Sequence, residues 1–447
     1  MSDPVIAPEL LSTYLGRQRW FAGSDPPDFP EVRHRGVERS GWPTLIRLLV
    51  DADGASYQVV VGLRPISEQP DFLRGHDDAV LGEVDTDDGP ALAYDAVFDP
   101  ELALAMLNDL VADAGVERAR VMTVEQSNSS VVYDDRLIMK LFRRIQDGPN
   151  PEVEVSQALA DGGFPWVAAP VASLAHESIH LALVQPFLAG GVEGWALALT
   201  SLRDLFGVHD TQSMPIITEA DMPPAALDPG MAGGDFSAEA RRLGETSAGM
   251  HVALAEVLGS APGDAGVWAD DIGAQVDRVS HPDFDKESAR KVVEALRTVD
   301  PGPAIRVHGD FHLGQVMRTD AGWYILDFEG EPARPLAERR RPSSPLRDVA
   351  GMLRSFHYAS EVALFERDSE FDEVGTAWEA CNRQAFLDGY LPDAAEGGVL
   401  PRDDEAIDAV LAAFELEKAV YELGYEQAHR PQWESIPLAA LRRLRRS

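Results

Sequence analysis

Short apolar runs separated by polar turns fill the first part of this 447-residue chain, and helical spacings fill most of the remainder. Thr44-Leu-Ile-Arg-Leu-Leu-Val50 and Tyr57-Gln-Val-Val-Val-Gly-Leu63 are β-type runs with polar residues between them, so they predict a pair of strands. Ala91–Phe98 with the following Glu101–Ala114 predicts a helix leading into a second unit. In that unit Ser129–Tyr133, the polar pair Asp134-Asp135 and Leu137–Phe142 predict a β-hairpin. Pro151–Ala160 has helical spacing, and Leu181–Leu188 reads as a strand that ends at the turn Gly190-Gly191. Thr211 to Phe236 is rich in Pro, Gly, Met and Ala and predicts a loop or flexible insertion. From Ser237 onward helical periodicity dominates, interrupted by strand-like segments at 304–328. A chain of this length exceeds one compact core. The patterns therefore predict an α+β protein of two or three domains, with a sheet-forming unit over 1–90, a second sheet-bearing unit over 91–190 and a mainly helical part over 191–447.

The candidate chemistry is concentrated where strand-like segments interrupt the helices. Val307-His-Gly-Asp-Phe-His-Leu-Gly-Gln-Val is followed by Ile325-Leu-Asp-Phe-Glu-Gly330. Asp310 falls in a short polar loop, and Asp327 at the end of an apolar strand-like run. Phosphoryl transfer needs such a pair, one carboxylate to orient the acceptor hydroxyl and take its proton, another to hold Mg²⁺ against the phosphates. Gln315 offers an amide ligand to the same metal, and Glu329 a further ligand or support for one. His308 is expected to bond nearby backbone. His312 either holds the loop or touches the γ-phosphate. Gly309 and Gly314 argue against the helix that a zinc site at His308 and His312 would need. Asp348, opening a helical segment after Arg347, either braces the Asp310 loop or is a first-turn acid favoured by the helix dipole.

Upstream, Lys140 sits on a strand-like run, in the order expected of a lysine that grips nucleotide phosphates and pairs with a helix carboxylate, here Glu154 or Glu152. The Glu125–Ser130 loop has no GxGxxG, and the chain has no GxxxxGK[ST]. Ser127 and Ser129 in that loop region, and Gln185 in the 181–188 run, are the remaining candidates for nucleotide contact. Near the C-terminus Lys418, Tyr421, Glu422, Tyr425 and Glu426 share a helix face. With Arg430 and Trp433 they either form a sugar site, carboxylates meeting hydroxyls or an ammonium and an aromatic face stacking on the ring, or belong to a core-packing helix with a polar edge.

Composition narrows the partners. With 39 basic against 75 acidic residues the net charge is −36, which repels nucleic acid and anionic membranes. The acids are spread along the chain, so the charge reads as solubility. There is no run of apolar residues long enough to span a bilayer. The opening Met-Ser-Asp-Pro-Val-Ile lacks a secretory signature, so a cytoplasmic location is expected. A single cysteine, Cys381, excludes an internal disulfide. Lysine is rare, only Lys140, Lys286, Lys291 and Lys418, and arginine supplies most of the positive charge.

The order of strand lysine, helix glutamate, HGDxHxxQ and DFE is similar to that of the aminoglycoside phosphotransferase-like kinases, which usually have asparagine where this chain has Gln315. Longer strings narrow the likeness: Gln18-Arg-Trp-Phe-Ala-Gly23, Glu125-Gln-Ser-Asn-Ser-Ser-Val, Asp327-Phe-Glu-Gly-Glu-Pro, Ser344-Pro-Leu-Arg-Asp-Val-Ala-Gly-Met and Lys418-Ala-Val-Tyr-Glu-Leu-Gly-Tyr-Glu. These resemble the actinobacterial maltokinases from residue 18 to the C-terminus. The resemblance implies a bilobal protein-kinase-like fold with an N-terminal cap, and transfer of phosphate from ATP with Mg²⁺ to the anomeric hydroxyl of maltose, for α-glucan (glycogen) synthesis. It assigns Lys140 and Glu154 to the ion pair, Asp310 to the base, and Gln315 and Asp327 to the metal. Relatives of that family phosphorylate glucosamine at its 6-hydroxyl, so glucosamine is the alternative acceptor. An inactive kinase-like scaffold is a third reading, against which the complete set Lys140, Asp310, Gln315 and Asp327 stands.

Overall fold

The computed structural model describes residues 5–23, 25–68, 70–122, 127–212, 235–332, 334–365 and 372–444. Most of the insertion expected between Thr211 and Phe236, and Glu125 and Gln126 of the serine-rich loop, lie outside the described residues. The chain forms two compact units, residues 1–157 with 168–189, and residues 158–167 with 190–447.

The first unit contains α1 (Pro8–Leu15), β1 (Glu31–Arg39), β2 (Thr44–Ala52), β3 (Ala55–Pro65), β4 (Val80–Thr86), β5 (Gly89–Asp95), α2 (Pro100–Leu110), β6 (Ala119–Met122), β7 (Asn128–Tyr133), β8 (Leu137–Phe142), β9 (Arg144–Ile145), the start of α3 (Pro151–Asp161), β10 (Ala172–His176) and β11 (Ile179–Pro186). One antiparallel sheet runs β1-β2-β3-β5-β4, with β9 also on β3; a second runs β10-β11-β8-β7-β6. The expected pair of strands is β2 and β3, in register from Thr44 opposite Leu63 to Ala52 opposite Ala55. The expected hairpin is β7–β8. Its turn residues Asp134 and Asp135 have φ of 49° and 52°, the left-handed pair that a two-residue turn needs and that aspartate tolerates better than most residues.

The helix expected to begin at Ala91 does not. Ala91–Asp95 belongs to β5, between β3 and β4, and the helix starts at Pro100. Asp99 caps it by accepting from the N–H groups of Glu101 and Leu102. The small apolar residues Ala91, Leu92 and Ala93 fit either helix or strand, and the open edges of two neighbouring strands decided it.

In the second unit β12 (Val192–Glu193), α4 (Gly194–Gln212), α5 (Ser237–Leu258), β13 (Ser260–Pro262), α6 (Ala265–Arg278), α7 (Lys286–Arg297), β14 (Pro303–Ile305), β15 (Val316–Arg318), β16 (Trp323–Ile325), α8 (Leu336–Arg339), α9 (Leu346–Leu364), α10 (Asp372–Glu396), α11 (Asp404–His429) and α12 (Ser435–Leu444) follow in order. Helices dominate as the periodicity predicts. Thr211 and Gln212, expected in the insertion, close α4. The crossing of α5 and α10 is close because both helices present glycine. A Cβ on Gly244 would lie 2.1 Å from the Phe386 carbonyl oxygen, and one on Gly389 2.1 Å from that of Arg241. No helix among the described residues is long and apolar enough to cross a membrane.

Candidate active site

The Asp310 loop and the end of β16 are fastened together by backbone. The Leu326 N–H donates to the Gln315 carbonyl at 2.9 Å, and His308 Nε2 contacts the Leu326 carbonyl at 2.8 Å. That contact requires a proton on Nε2, which leaves Nδ1 as acceptor for the Asp310 N–H at 3.4 Å. His308 lies between the rings of Phe311 and Phe328, centroids 5.2 and 4.9 Å away. Its expected structural role holds, both ring nitrogens being engaged with backbone. Gln315 Nε2 donates to Asp327 Oδ2 at 3.2 Å, so the two residues assigned to metal stand side by side. Asp327 has φ 62°, a left-handed conformation that a non-glycine residue adopts only when its surroundings enforce it. Glu329 follows, its carbonyl accepting from Arg339 at 2.9 Å.

Asp348, on the first turn of α9, holds the other side of the loop. Its two oxygens accept from the N–H groups of His308 and Gly309 at 2.7 and 2.9 Å, and His251 Nε2 reaches Oδ2 at 3.1 Å. His251 Nδ1 lies 2.8 Å from the Tyr390 hydroxyl. Burial alone would raise the Asp348 carboxyl, but the bonds from His251 and the loop hold it below the ordinary range. The bracing role therefore stands over the helix-dipole one. α9 can approach because Gly351 has no side chain; a Cβ there would lie 2.5 Å from the Phe311 carbonyl oxygen. His251→Phe, which removes the side-chain donor to a buried carboxylate, is expected to cost about 1–3 kcal/mol in denaturant unfolding. A loss of only a few tenths would show that the two backbone N–H groups suffice.

Asp310 itself meets Lys418, whose Nζ is 3.0 Å from Oδ1 and 3.7 Å from Glu331 Oε2. Burial works against ionising Asp310, yet the adjacent Lys418 ammonium lowers its carboxyl to about 2. The same carboxylates keep Lys418 charged although burial opposes it. His312 Nδ1 accepts from the Gly314 N–H, and its Nε2 lies 4.0 Å from Asp310 Oδ2. Burial lowers the His312 pKa, which leaves a neutral ring whose Nε2–H faces Asp310. Tyr421 donates to Glu331 at 2.7 Å, while Arg334 and Arg347 reach Glu417 at 3.0 and 3.3 Å. Asp310, Glu331, Arg347, Lys418 and Tyr421 thus line one cavity.

The rest of the expected sugar face is not in that cavity. Glu422 is bound to Arg354 at 2.5 Å. Glu426 takes the Tyr358 hydroxyl and Arg430. Trp433 stacks on Tyr358 and Phe365 with centroids 6.0 and 5.6 Å apart, and Tyr425 stacks on His429. A helix face as read from spacing is about half a turn wide, and here successive residues along α11 meet different neighbours. Glu331, Arg334 and Glu417 were missed. Glu331 lies in the quoted DFEGEP string and carried that signal; His251 and Tyr390, far away in sequence, carried none.

In the first unit, Lys140 on β8 places its ammonium 4.0 Å from Glu152, which is buried at the start of α3. Glu154, two residues on, bears on His180. Ser129 Oγ accepts from Arg143 Nε at 2.8 Å, Ser127 Oγ accepts from Asn128, and Gln185 donates to the Ala168 carbonyl at 2.7 Å.

Comparison with known proteins agrees with this organisation. Residues 14–99 match the maltokinase N-terminal cap domain, and residues 213–382 the phosphotransferase enzyme family. A glucosamine kinase of Streptacidiphilus jiangxiensis is 28% identical over 355 residues, 75% of either chain. One of Mycolicibacterium smegmatis is 26% identical over 341 residues, 72% of this chain and 78% of that one. A solved glucosamine kinase in complex with glucosamine, ADP and inorganic phosphate has the same fold at 22% identity, with a TM-score of 0.66 over 98% of this chain and 99% of that one. Crystal form B of a glucosamine kinase gives 0.67 at 22% identity over 99% and 100%. A match to a maltokinase-type cap, a match to a phosphotransferase-family domain and the glucosamine kinase relatives together support a carbohydrate kinase.

Proposed function

We propose that this protein transfers the γ-phosphate of ATP, with Mg²⁺, to a hydroxyl of a sugar, with maltose as first acceptor and the anomeric hydroxyl as its site. The single observation that carries the phosphotransfer reading is the joint between the Asp310 loop and the end of β16, where an ionised aspartate stands on a loop pinned by Asp348 and an amide–carboxylate pair stands beside it. Asp310, held ionised, accepts a hydrogen bond from the acceptor hydroxyl, aligns its oxygen, and takes the proton as the phosphoryl group arrives. His312 flanks that carboxylate, its Nε2 4.0 Å from Oδ2. Lys140, with the Glu152 carboxylate 4.0 Å from its ammonium, neutralises the α- and β-phosphates, with Glu154, Ser127, Ser129 and Gln185 on the nucleotide side. Gln315 and Asp327 are oxygen donors of the type a hard cation takes when phosphates complete its shell, so they fit Mg²⁺, with Glu329 in support. Bound there, the ion supplies charge neutralisation of the phosphates.

The maltokinase-type cap and the strings shared with that family support maltose; the names of the 26–28% identical relatives favour glucosamine. The test is the purified protein with ATP and Mg²⁺ against maltose, glucosamine and glucose, following ADP release and product by mass. Maltose 1-phosphate as main product is expected. Robust glucosamine turnover with none on maltose would replace the acceptor and keep the chemistry; no turnover on any sugar would leave a scaffold.

A further inference from the structure

We propose that Lys418 is a charge filter on the acceptor, its ammonium filling the place beside Asp310 and Glu331 that the ammonium of an amino sugar would otherwise take. The inference deepens the sugar-kinase reading and rests on it. The cavity next to Asp310 is rich in carboxylates, which by itself would make it a cation site. Its charges are, however, already matched from within the chain. Glu417 is taken by Arg334 and Arg347, and Asp348 by His251 and two backbone N–H groups. That leaves Asp310 and Glu331, and Lys418 bridges them at 3.0 and 3.7 Å. The ammonium is held from below by the Tyr421 ring, 5.3 Å away, and Tyr421 in turn donates to Glu331. The lysine projects from the middle of the 26-residue helix α11, an anchor that does not yield its position readily.

In a chain whose positive charge is mostly arginine, a lysine here has a physical rationale. Its compact ammonium bridges two carboxylates as a point charge and leaves room for a hydroxyl, where a planar guanidinium would cover both. A neutral sugar can approach Asp310 and donate a hydroxyl hydrogen bond with Lys418 in place. A cationic sugar must either displace the lysine or stand against a like charge in a partly desolvated site, which is repulsion used for specificity.

The test uses the full-length protein, ATP and Mg²⁺, and the ratio of kcat/KM for a neutral sugar, maltose or glucose, to that for glucosamine. The wild type is expected to favour the neutral sugar at least ten-fold. Lys418→Met is expected to lower that ratio ten-fold or more, mainly through a smaller KM for glucosamine. Lys418→Arg, which keeps the charge but crowds both carboxylates, is expected to lower kcat/KM for every acceptor while leaving the ratio in favour of neutral sugars. An equal fall in kcat for both acceptors in Lys418→Met overturns the filter, since Lys418 would then only position Asp310; an unchanged ratio overturns it as well. Should Lys418→Met fail to fold, the wild type alone decides, because a preference for glucosamine over glucose, which differ only at the 2-position, contradicts the filter. Failure of the kinase reading looks different: no sugar is phosphorylated at all, and the filter falls with it.

Discussion

Asp310→Asn is expected to lower kcat by about 10²- to 10⁴-fold while ADP binding stays within two-fold of the wild type, the range that loss of a positioned proton acceptor produces. The asparagine keeps the size of the side chain and one oxygen to face Lys418, so the loop should remain folded. It loses the charge that orients the acceptor hydroxyl and the ability to take its proton. Nucleotide binding is spared because the residues proposed to hold phosphate and metal, Lys140, Gln315 and Asp327, are untouched. The measurement is steady-state phosphorylation of the preferred sugar beside calorimetric titration with Mg-ADP. A variant that retains a third or more of wild-type turnover would remove Asp310 from the chemistry, and with it the central role proposed for the loop. A variant that loses ADP binding equally would show that the substitution disturbed the loop fastened by Asp348, not the proton transfer alone.

Arg143→Met is the substitution expected to cost most in stability, about 3–5 kcal/mol, because it strands a buried carboxylate. The Arg143 side chain is fully buried at the end of the β7–β8 hairpin; its Nη2–H donates to Asp95 Oδ2 at 2.6 Å and its Nε–H to Ser129 Oγ at 2.8 Å. Tyr14 of α1 donates to the same Asp95 oxygen at 2.6 Å, and burial together with Asp95 raises its pKa well above the ordinary value, so the hydroxyl stays a donor. The ring of Trp20, from the Gln18-Arg-Trp-Phe string, lies 5.2 Å from the guanidinium. Four parts of the first unit thus meet on one charge pair: the cap helix, the string after it, β5 and the hairpin. Removing the arginine leaves Asp95 with one hydroxyl and the Val97 N–H, too little for an ion out of water. In Arg143→Met with Asp95→Asn the charge is gone from both sides, and more than half of the loss should return. Urea unfolding followed by tryptophan fluorescence measures both variants. A single-variant loss under about 1 kcal/mol, far below that of a stranded buried ion, would mean that water reaches Asp95.

Local signals in the chain were enough for the elements built from near neighbours. The β2–β3 pair, the hairpin with its Asp134-Asp135 turn, α3 and the helix of the second unit that starts after Pro345 are each specified within a dozen or so residues, by alternation, turn chemistry and helical spacing. The segment 91–95 failed the same reading because its residues are small and apolar with no strong preference, and the outcome came from β3 and β4 on either side. The site divides the same way. Asp310, Gln315 and Asp327 stood out as candidates because two short strings carry them. The split of the α11 face was not, since spacing tells which residues point one way and not what waits there.

From its residues alone this protein was an α+β phosphotransferase candidate with an acid on a tight loop, a second acid at a strand end and a lysine upstream, because each of those is a local arrangement of backbone and side chain. Only tertiary packing decided that Lys418 stands on Asp310, that His251 and Tyr390 hold Asp348, and that Arg143 joins the cap helix to the hairpin. Those are contacts between charges distant along the chain, and a charge carries no mark of its partner until burial forces it to have one.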